Sequence, residues 1–327
     1  MQILVTGGSG FIGSHLTELL LARGHFVTIV DDLSTGRQSN LAAIRNHPSL
    51  SILNQDLANP DLIRDLCSHV DVVYHLAAAV GVALIAKNPI ESIHRNIYPT
   101  QLLLDALCLQ RSQGRNVPMF FASTSEVYGK NPKLVWNEED DLVFGATTKP
   151  RWSYGASKAI DEFLALACSR QYQLPIVIGR FFNVVGPRQT GTYGMVLPRF
   201  VEAAIQGRPI VVHDDGRQER CFAHVADVVD AVIKLTESPE AYGRVFNIGS
   251  DQTISILDLA KKVRDMVNPK VEITFQSYSD AYDMDFEDIR RRVPDLSRIR
   301  NSIAYNPKHN LESIIRDVHE EMLREKR

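Results

Sequence analysis

Residues 3–13 read ILVTGGSGFIG and are followed by apolar residues at helical spacing through Leu20. The apolar residues 3–5 predict a β-strand, the glycines predict a turn, and the periodicity after them predicts a helix. Gly7 allows the tight turn, Gly10 lets backbone approach a pyrophosphate, and Gly13 lets the helix pack closely on the strand. Phosphate charge then lies at the helix N-terminus, at Phe11 and Ile12.

A second predicted strand, residues 26–30, ends at Asp31 and completes a strand-helix-strand unit. Asp31 follows the glycines at about the 20-residue distance at which an acid meets the ribose of a dinucleotide. A carboxylate accepts ribose hydroxyls and repels a ribose phosphate, so Asp31 and its neighbour Asp32 favour NAD over NADP. Arg37 is the residue that weighs towards NADP. The glycines alone also fit an ordinary loop between a strand and a helix. Because the strand, the helix and the acid occur at the expected spacing, a dinucleotide site is favoured over that loop.

Composition restricts the class of protein. The chain has 327 residues and a net charge of -3, with acids and bases interspersed, which gives no basic face for nucleic acid or anionic lipid. Its four cysteines are far apart and form no metal or disulfide pattern, so we expect no metal site and four buried thiols in a reducing cytoplasm. The N-terminal apolar run is too short and glycine-broken for a signal peptide, and residues 70–86 contain Asp71 and His75 and predict a strand plus loop. The expected location is cytoplasmic.

Strand and helix patterns alternate through the first half of the chain. Strands are predicted over residues 51–53, 70–75, 119–122 and 176–178, and helices over 60–67, 89–109 and from Tyr154 onward. Such alternation predicts an α/β fold with a Rossmann-type doubly wound parallel sheet. We expect residues 1–180 to form the NAD-binding domain, including the helix of Tyr154. Residues 181–327 are expected to form mainly a smaller C-terminal α/β substrate lobe, with some elements returning to the first domain.

Ligands bind such sheets beyond the carboxyl ends of the strands, and polar or small residues follow several predicted strands. Further cofactor-binding candidates at these ends, with one from the long helix, are Asp56, Leu57, Leu76, Ala77, Ala78 and Asn96. Asp56 fits a plain turn or helix cap equally well. Ser123, Thr124, Ser125 and Glu126 follow the strand at residues 119–122 and are catalytic candidates.

Tyr154 and Lys158 are one helical turn apart, so both side chains lie on one face of their helix. An ammonium near a phenol lowers the pKa of the phenol, which then becomes a usable general base. An isolated Tyr-x-x-x-Lys pair is usually an interfacial tyrosine and a solvated lysine. Here the pair follows the Ser/Thr cluster at residues 123–125, which could hydrogen-bond a reacting hydroxyl beside the tyrosine.

The second half offers candidates for binding a phosphorylated substrate. Arg220 and Arg292 are candidate diphosphate ligands, Asn183 is a candidate sugar or phosphate donor, and Asp295 is a candidate ribose acceptor. Arg188 and Val196 complete the substrate-binding set. Taken singly, each charged residue also fits a solvated surface position, and residues 195–200 also fit a core helix.

Together these motifs resemble the extended short-chain dehydrogenase/reductase family of nucleotide-sugar epimerases, dehydratases and decarboxylases. The motifs that carry the resemblance are Gly7-x-x-Gly10-x-x-Gly13, Asp31, His75-Leu-Ala-Ala, Ser123-Thr-Ser-Glu-Val-Tyr-Gly129, Tyr154-x-x-x-Lys158, Arg180-Phe-Phe-Asn183 and Arg292-x-x-Asp295. The resemblance implies that NAD takes a hydride from C4 of a UDP-sugar while Tyr154 removes the hydroxyl proton. Thr124, or Ser123, would position that proton, and Lys158 would hold the nicotinamide ribose. It also implies a homodimer formed through a four-helix bundle.

The fate of the oxidised sugar is open at this point. A UDP-hexose 4-epimerase needs only residues plainly present, and it is the first choice. UDP-glucuronate decarboxylation is the close alternative, favoured by Glu126 and by the similarity of Arg151-Trp152 and Arg220-Cys221-Phe222 to decarboxylase segments. The absence of a tyrosine from residues 79–86 weighs against it. A 4,6-dehydratase is less favoured because Ser125 replaces the expected aspartate, as is a non-catalytic NAD-binding sensor.

Overall fold

The computed structural model describes residues 1–79, 89–191, 195–277 and 289–324. The strands are β1 Gln2–Thr6, β2 Phe26–Val30, β3 Leu50–Leu53, β4 Val72–His75, β5 Met119–Thr124, β6 Ile176–Phe181, β7 Val184–Val185, β8 Ile210–His213, β9 Glu219–Cys221, β10 Ala223–His224, β11 Arg244–Ile248, β12 Thr253–Ser255, β13 Ile273–Gln276 and β14 Arg291–Arg292. The α-helices are α1 Phe11–Ala22, α2 Pro60–His69, α3 Pro89–Ser112, α4 Ser153–Tyr172, α5 Val196–Ile205, α6 Val225–Thr236, α7 Ile256–Val267, α8 Ser297–Ile303 and α9 Leu311–Arg324.

Seven parallel strands form the main sheet in the order β11-β6-β5-β4-β1-β2-β3. The chain winds outward from β1 to β3 and then from β4 in the opposite direction. The point of reversal lies between β1 and β4, where Val5 pairs with Ile29 on one side and Tyr74 on the other. The sheet confirms the predicted Rossmann-type doubly wound fold, and ligands bind at such a reversal.

Alternate residues of the strands pack on opposite faces of the sheet. Ile3 and Val5 belong to a core with residues of α1 and α6, whereas Leu4 packs in a core with residues of α2, α3 and α4. All three side chains are fully buried. Apolar residues on both faces are typical of central parallel strands, and each such burial stabilises the fold by about 1.5–3 kcal/mol.

The predicted elements of the first half are present, and their ends differ by one to three residues. Strand β5 continues to Thr124 and helix α3 continues to Ser112, whereas β4 begins at Val72 and not at residue 70. Pro99 lies inside α3, which remains one helix. The extension of β5 matters most, since it makes Ser123 and Thr124 part of the strand.

Among the described residues, short strands and the helices α5, α7 and α9 form the second lobe. Its core contains buried residues of α5, α7 and α9, while β8 pairs with β13, and β9 pairs with β12 and β14. Residues 223–248 return to the main sheet, because β11 pairs with β6 and α6 packs in the first core. Leu296, Ile299 and Tyr305 pack in the same core, so the chain returns to the first lobe twice after residue 180.

Two of the four cysteines differ from the prediction. Cys67 and Cys221 are buried, but Cys108 and Cys168 are only half-buried, because they lie on the neighbouring helices α3 and α4 at the surface of the sheet layer. All four are free thiols. Within the described ranges, no helix carries an apolar stretch long enough to cross a lipid bilayer.

Candidate active site

The glycine turn between β1 and α1 packs against the end of β4. Gly7 has a φ of +71°, and a side chain there would come within 2.8 Å of the Ala77 amide nitrogen. A side chain at Gly13 would come within 2.1 Å of the Gly7 carbonyl oxygen. Gly10 is the N-cap of α1. The turn thus leaves the amides of the first helical turn, those of Phe11 and Ile12 among them, without partners inside the helix.

Asp31 lies at the end of β2 and is nearly buried. Its carboxylate accepts hydrogen bonds from the Ser9 and Leu33 amides, both at 2.9 Å, and burial raises its pKa. Asp32 instead pairs with Arg95 at 2.6 Å. The Arg37 guanidinium donates to the Thr190 hydroxyl at 3.3 Å, so it contacts the loop after β7 and not Asp31.

The remaining predicted cofactor residues follow β3 and β4, except Asn96, which lies on α3. Asp56 accepts the Ala58 amide at 2.8 Å in a turn, and Leu57 is buried. The amides of Leu76 and Ala77 donate to Thr6, and Ala78 follows them. Asn96 accepts the Ala79 amide at 2.8 Å and donates to the Ser157 hydroxyl at 3.2 Å. Asn96 therefore ties the end of β4 to α4 beside Lys158. Residues 80–86, where the missing tyrosine weighed against decarboxylation, lie outside the described residues.

His75, at the end of β4, is a buried connector. Its Nδ1 lies 2.7 Å from the Thr6 hydroxyl and its Nε2 lies 3.0 Å from the Thr100 hydroxyl. Burial and the nearby charge of Lys158 lower the pKa of His75 to about 3. The ring is thus neutral near pH 7, and it links the first strand to α3.

Tyr154 and Lys158 lie in the first two turns of α4. The Lys158 ammonium nitrogen is 4.5 Å from the centre of the Phe121 ring and 3.8 Å from a carboxylate oxygen of Asp161. Both charged side chains are almost completely buried, with 2% of Lys158 and 0% of Asp161 exposed. The charge of Lys158 is therefore held in a dry site.

The expectation of an acidic phenol is wrong for the protein alone. Burial raises the pKa of Tyr154 well above its ordinary value, the charges of Glu126 and Asp161 raise it further, and a hydrogen bond with Thr124 opposes them. Spacing in the sequence indicated the ammonium but not the two carboxylates, and removal of water disfavours the phenolate. Additional positive charge is needed beside the tyrosine before it can act as a base.

Neighbouring side chains at the end of β5 have different hydrogen-bond partners. The Ser123 hydroxyl donates to Glu162 at 2.5 Å, and Ser125 is buried. The Thr124 hydroxyl caps the short 3-10 turn Ser125–Tyr128 by accepting the Glu126 amide at 3.2 Å. Thr124, the hydrogen-bond partner of Tyr154, is thus placed to position a substrate hydroxyl, whereas Ser123 holds Glu162.

Glu126 is held between two arginines from different elements. Its carboxylate accepts from Arg151 at 2.8 Å and pairs with Arg292 of β14 at 2.6 Å. The exposed fractions of the side chains are 14% for Glu126, 9% for Arg151 and 11% for Arg292. Although burial alone would raise it, the two guanidinium groups lower the pKa of Glu126 to about 2. Glu126 is therefore an ionised acceptor and not a proton donor near neutral pH.

This cluster directly adjoins α4, the helix of Tyr154 and Lys158. Gly155 packs so closely on the turn after β5 that a side chain there would come within 2.5 Å of the Glu126 carbonyl oxygen. Glu126 also contributes to the raised pKa of Tyr154. Tyr154, Thr124 and the Glu126 cluster therefore form one site.

Three of the other predicted substrate residues lie close together, because Arg292 of β14 pairs in register with Arg220 of β9, and Asn183 contacts Cys221 beside Arg220. Arg292 was expected at a diphosphate and instead contacts Glu126. Asn183 has a φ of +35° and donates to the Cys221 carbonyl at 2.9 Å, while Arg220 donates to the Glu219 carbonyl at 2.9 Å. Asp295 lies two residues before α8 and accepts the Ser297 amide at 2.8 Å. Arg188 pairs with Glu18 of α1 at 2.6 Å, and Val196 begins α5.

A separate cluster contains His224, His309 and Asp317, whose side-chain atoms all lie within 4.8 Å of one another. The Ala226 amide donates to His224 Nδ1 at 3.1 Å, so the ring hydrogen of neutral His224 is on Nε2, 3.3 Å from Asp317. A protonated nitrogen is a poor metal ligand. The arrangement therefore fits a histidine facing a carboxylate better than a metal site.

Sequence reasoning missed the acids on α4. Glu162 accepts three hydrogen bonds from Arg180 of β6, at 2.7, 3.0 and 3.2 Å, and Asp161 faces Lys158. Two consecutive acids inside the apolar segment 159–167 are a signal for buried charge, since surface acids lie in more polar surroundings. Arg151 was noted for its likeness to decarboxylase segments but was not assigned to a site.

The residues at the sheet reversal fit a dinucleotide. Gly7 and Gly13 leave no room for side chains, the first turn of α1 presents its amides, and Asp31 is fixed by two backbone hydrogen bonds. The hydroxyl of Ser9 in the same turn is buried without a hydrogen-bond partner among the described residues. This set can hold a pyrophosphate and a ribose.

Comparisons with known proteins agree. The model of the NAD dependent epimerase/dehydratase family matches residues 3–249, and the chain belongs to this family. It is therefore an enzyme that uses NAD.

Relatives within the family have different reactions. The chain is 36% identical over 318 residues to a UDP-N-acetyl-alpha-D-glucosaminuronate decarboxylase of Bacillus cytotoxicus, covering 97% of this chain and 96% of the relative. It is 33% identical over 306 residues to UDP-glucuronic acid decarboxylase 1 of Xenopus tropicalis, covering 94% and 68%. The structure is similar to UDP-glucuronic acid 4-epimerase from Bacillus cereus in complex with UDP-glucuronic acid and NAD, with a TM-score of 0.87, 27% identity and 99% coverage of both chains.

Proposed function

We propose that the chain catalyses the NAD-dependent oxidative decarboxylation of a UDP-linked hexuronate. The observation that carries the proposal is the ionised Glu126 held by Arg151 and Arg292 beside Tyr154. The two decarboxylase relatives, which align over nearly the whole chain, support it. The 4-epimerase favoured on sequence alone becomes the second candidate.

Charge at the cluster suits a carboxylate-bearing sugar. Arg151 and Arg292 bring two guanidinium groups to the cluster beside Tyr154, which favours an anionic substrate there. Guanidinium groups bind carboxylates through paired hydrogen bonds. A hexose with a neutral hydroxymethyl group would make no such use of the two arginines.

Oxidation at C4 is the first step of the proposed reaction. When bound, NAD supplies a hydride acceptor with a positively charged ring. Thr124 orients the C4 hydroxyl, and Tyr154 takes its proton, with Lys158 as the protein's own cation near the phenol. The product is a 4-keto uronate, in which the C6 carboxylate is β to the ketone.

Carbon dioxide is then lost by cleavage of the C5–C6 bond, whose electron pair forms a C4–C5 enolate. Tyr154, now protonated, can hydrogen-bond the enolate oxygen, because this oxygen is the one it deprotonated. A solvent proton is delivered to C5, Tyr154 returns its proton to the C4 oxygen, and the hydride returns from bound NAD to C4, which completes the UDP-pentose. Glu126 is not the donor, since its pKa of about 2 keeps it ionised. We assign Glu126 to orienting the two arginines. Its negative charge also weakens their binding of the substrate carboxylate, which has to leave as carbon dioxide.

Other candidate residues keep the roles proposed from the sequence. We propose that the UDP moiety contacts Asn183, Arg188, Val196, Arg220 and Asp295. On binding, Arg188 would leave Glu18 and Asp295 would leave the Ser297 amide. The NAD contacts are proposed for the glycine turn, Asp31, Asp32, Asp56, Leu57, Leu76–Ala78, Asn96, Tyr154 and Lys158.

The 4-epimerase candidate rests on the similarity to an epimerase that acts on UDP-glucuronic acid. Incubation with UDP-glucuronate, UDP-N-acetylglucosaminuronate, UDP-glucose and UDP-galactose, each alone and monitored by NMR, separates the candidates. Decarboxylation gives a UDP-pentose and one equivalent of carbon dioxide from a uronate. Interconversion of sugars with retention of C6 would contradict the proposal and favour the epimerase.

We also propose a homodimer through α3 and α4. Large apolar side chains are exposed on both helices: Ile90, Tyr98, Leu109, Ile160, Phe163 and Tyr172. Exposed apolar groups on two adjacent helices are typical of a protein interface. We expect Phe163→Glu, at a side chain that is 65% exposed, to give monomers in light scattering, whereas the control Phe275→Glu on β13 leaves dimers. Monomeric wild-type protein would contradict this proposal.

A further inference from the structure

Asp161 has no role in the reaction described above, yet it is completely buried on the catalytic helix. Neither carboxylate oxygen has a hydrogen-bond partner among the described residues. The nearby Thr100 hydroxyl lowers the pKa of Asp161, but it also lies 2.8 Å from the Asn96 carbonyl oxygen. A buried carboxylate with so little hydrogen bonding is costly, so a compensating function is expected.

Lys158 is the charged neighbour of this carboxylate. The ammonium nitrogen and the carboxylate are 3.8 Å apart, which is close for a charge pair and too long for a hydrogen bond. The other acid on this face, Glu162, is occupied by Arg180 and the Ser123 hydroxyl. Two buried pairs result, Arg180 with Glu162 and Lys158 with Asp161, and their four charges cancel.

We propose that Asp161 is a positioning residue that keeps Lys158 charged in its dry site without occupying the hydrogens of the ammonium group. The separation serves both needs, because electrostatic attraction extends to 3.8 Å while hydrogen bonding does not. The lysine hydrogens stay available for a ribose hydroxyl. This inference rests on the role of Lys158 in the oxidation step and is independent of whether the 4-keto sugar is decarboxylated or epimerised.

The surroundings of Lys158 require such a partner. Burial lowers the pKa of Lys158, and the charges of Asp161 and Glu162 raise it. From β4 it faces His75, which is neutral near pH 7, and from β5 it faces the Phe121 ring. Tyr154 precedes it by one turn, and Arg180 of β6 is already paired. Asp161 is thus the carboxylate left to balance the ammonium charge.

The test measures the charge of Lys158 directly. The 13Cε signal of Lys158 in selectively labelled protein, assigned with Lys158→Met, is titrated against pH. We expect Asp161→Asn to lower the titration midpoint by at least one pH unit, Asp161→Glu to restore it in part, and the exposed control Asp65→Asn on α2 to leave it unchanged. An unchanged midpoint in folded Asp161→Asn would overturn the inference. No substrate is used, so failure here is distinct from failure of the decarboxylase proposal.

Activity supplies a second measurement. The alkaline limb of the kcat profile should move to lower pH in Asp161→Asn by the same amount as the NMR midpoint, which a purely structural role would not produce. If Asp161→Asn does not fold, urea unfolding compares Lys158→Met with Lys158→Met/Asp161→Asn. We expect the double variant to be at least as stable, because it removes the uncompensated carboxylate. A double variant less stable than Lys158→Met would overturn the inference.

Discussion

Two carboxylates lie near Tyr154 and are held in opposite ways. Glu126, on the substrate side, accepts hydrogen bonds from arginines at 2.8 and 2.6 Å, and its pKa falls to about 2. Asp161, 3.8 Å from Lys158, has no arginine partner among the described residues, and burial raises its pKa to about 6 although the charge of Lys158 and the Thr100 hydroxyl oppose this. The difference shows that hydrogen-bonded counter-charges, and not burial alone, decide which acid resists protonation.

The same difference separates two tasks within one site. A carboxylate pinned by two guanidinium groups fixes their direction, whereas a carboxylate at 3.8 Å supplies charge and leaves its partner's hydrogens free. Acids whose pKa values are driven apart in one pocket have different roles. Tyr154, under the influence of both, is the group through which the comparison can be tested.

The largest effect is expected from removal of the phenol between the two acids. Tyr154→Phe should lower kcat roughly 10²–10⁴-fold, because Tyr154 is the proposed base beside Thr124. Bound NAD, measured in an extract of the purified protein, should be unchanged. The control Tyr172→Phe at the exposed end of α4 should keep full activity. More than a tenth of the wild-type rate in Tyr154→Phe would contradict its role as base.

Glu126→Gln tests the pinned carboxylate. Loss of the charged acceptor removes its ion pairs with both arginines and should destabilise the fold by about 2 kcal/mol at pH 7 in urea unfolding. The folded pKa of about 2 is below the ordinary 4.5, so this stability is present above pH 4.5 and is lost as pH falls towards 2. The gap between wild type and variant should therefore close in acid. A gap independent of pH would show that charge is not the cause.

Arg292→Gln sharpens the substrate side of the comparison. We expect KM for a UDP-uronate to rise about tenfold through loss of a charged hydrogen bond, with a smaller change for UDP-glucose. The matched control is Arg291→Gln at the preceding residue, which pairs with Glu219 at 3.0 Å. Equal effects on both sugars would assign Arg292 to the diphosphate, as the sequence suggested.

The smallest change near pH 7 is expected from His224→Asn, which retains a side chain able to cap α6. Burial lowers the pKa of His224 to about 4 from 6.5. Its contribution to stability is therefore complete above pH 6.5 and is lost as pH falls towards 4. The variant should lose less stability than wild type over this range in thermal unfolding. An identical pH dependence would place the acid sensitivity elsewhere, for instance at His75.

Local patterns in the sequence were sufficient for the fold and for part of the site. The glycine spacing, the alternation of strands and helices, and the Tyr154–Lys158 pair are short-range features, and the structure places them as expected. The contact of Glu126 with Arg292 joins residues 166 positions apart, and no local periodicity encodes it. The pKa of Tyr154 was predicted in the wrong direction because burial and two distant acids act on it. Charge balance depends on tertiary neighbours.

Strand β11 has a consequence for how this chain is made. Residues 244–248 are the outermost strand beside β6, so β6 lacks one neighbour until residue 248 has left the ribosome. By then α5 and β8–β10 of the second lobe have already been synthesised. A fragment cut after residue 180 would present the bare edge of β6 to solvent and to other chains. During synthesis, the first lobe becomes complete only after much of the second has emerged.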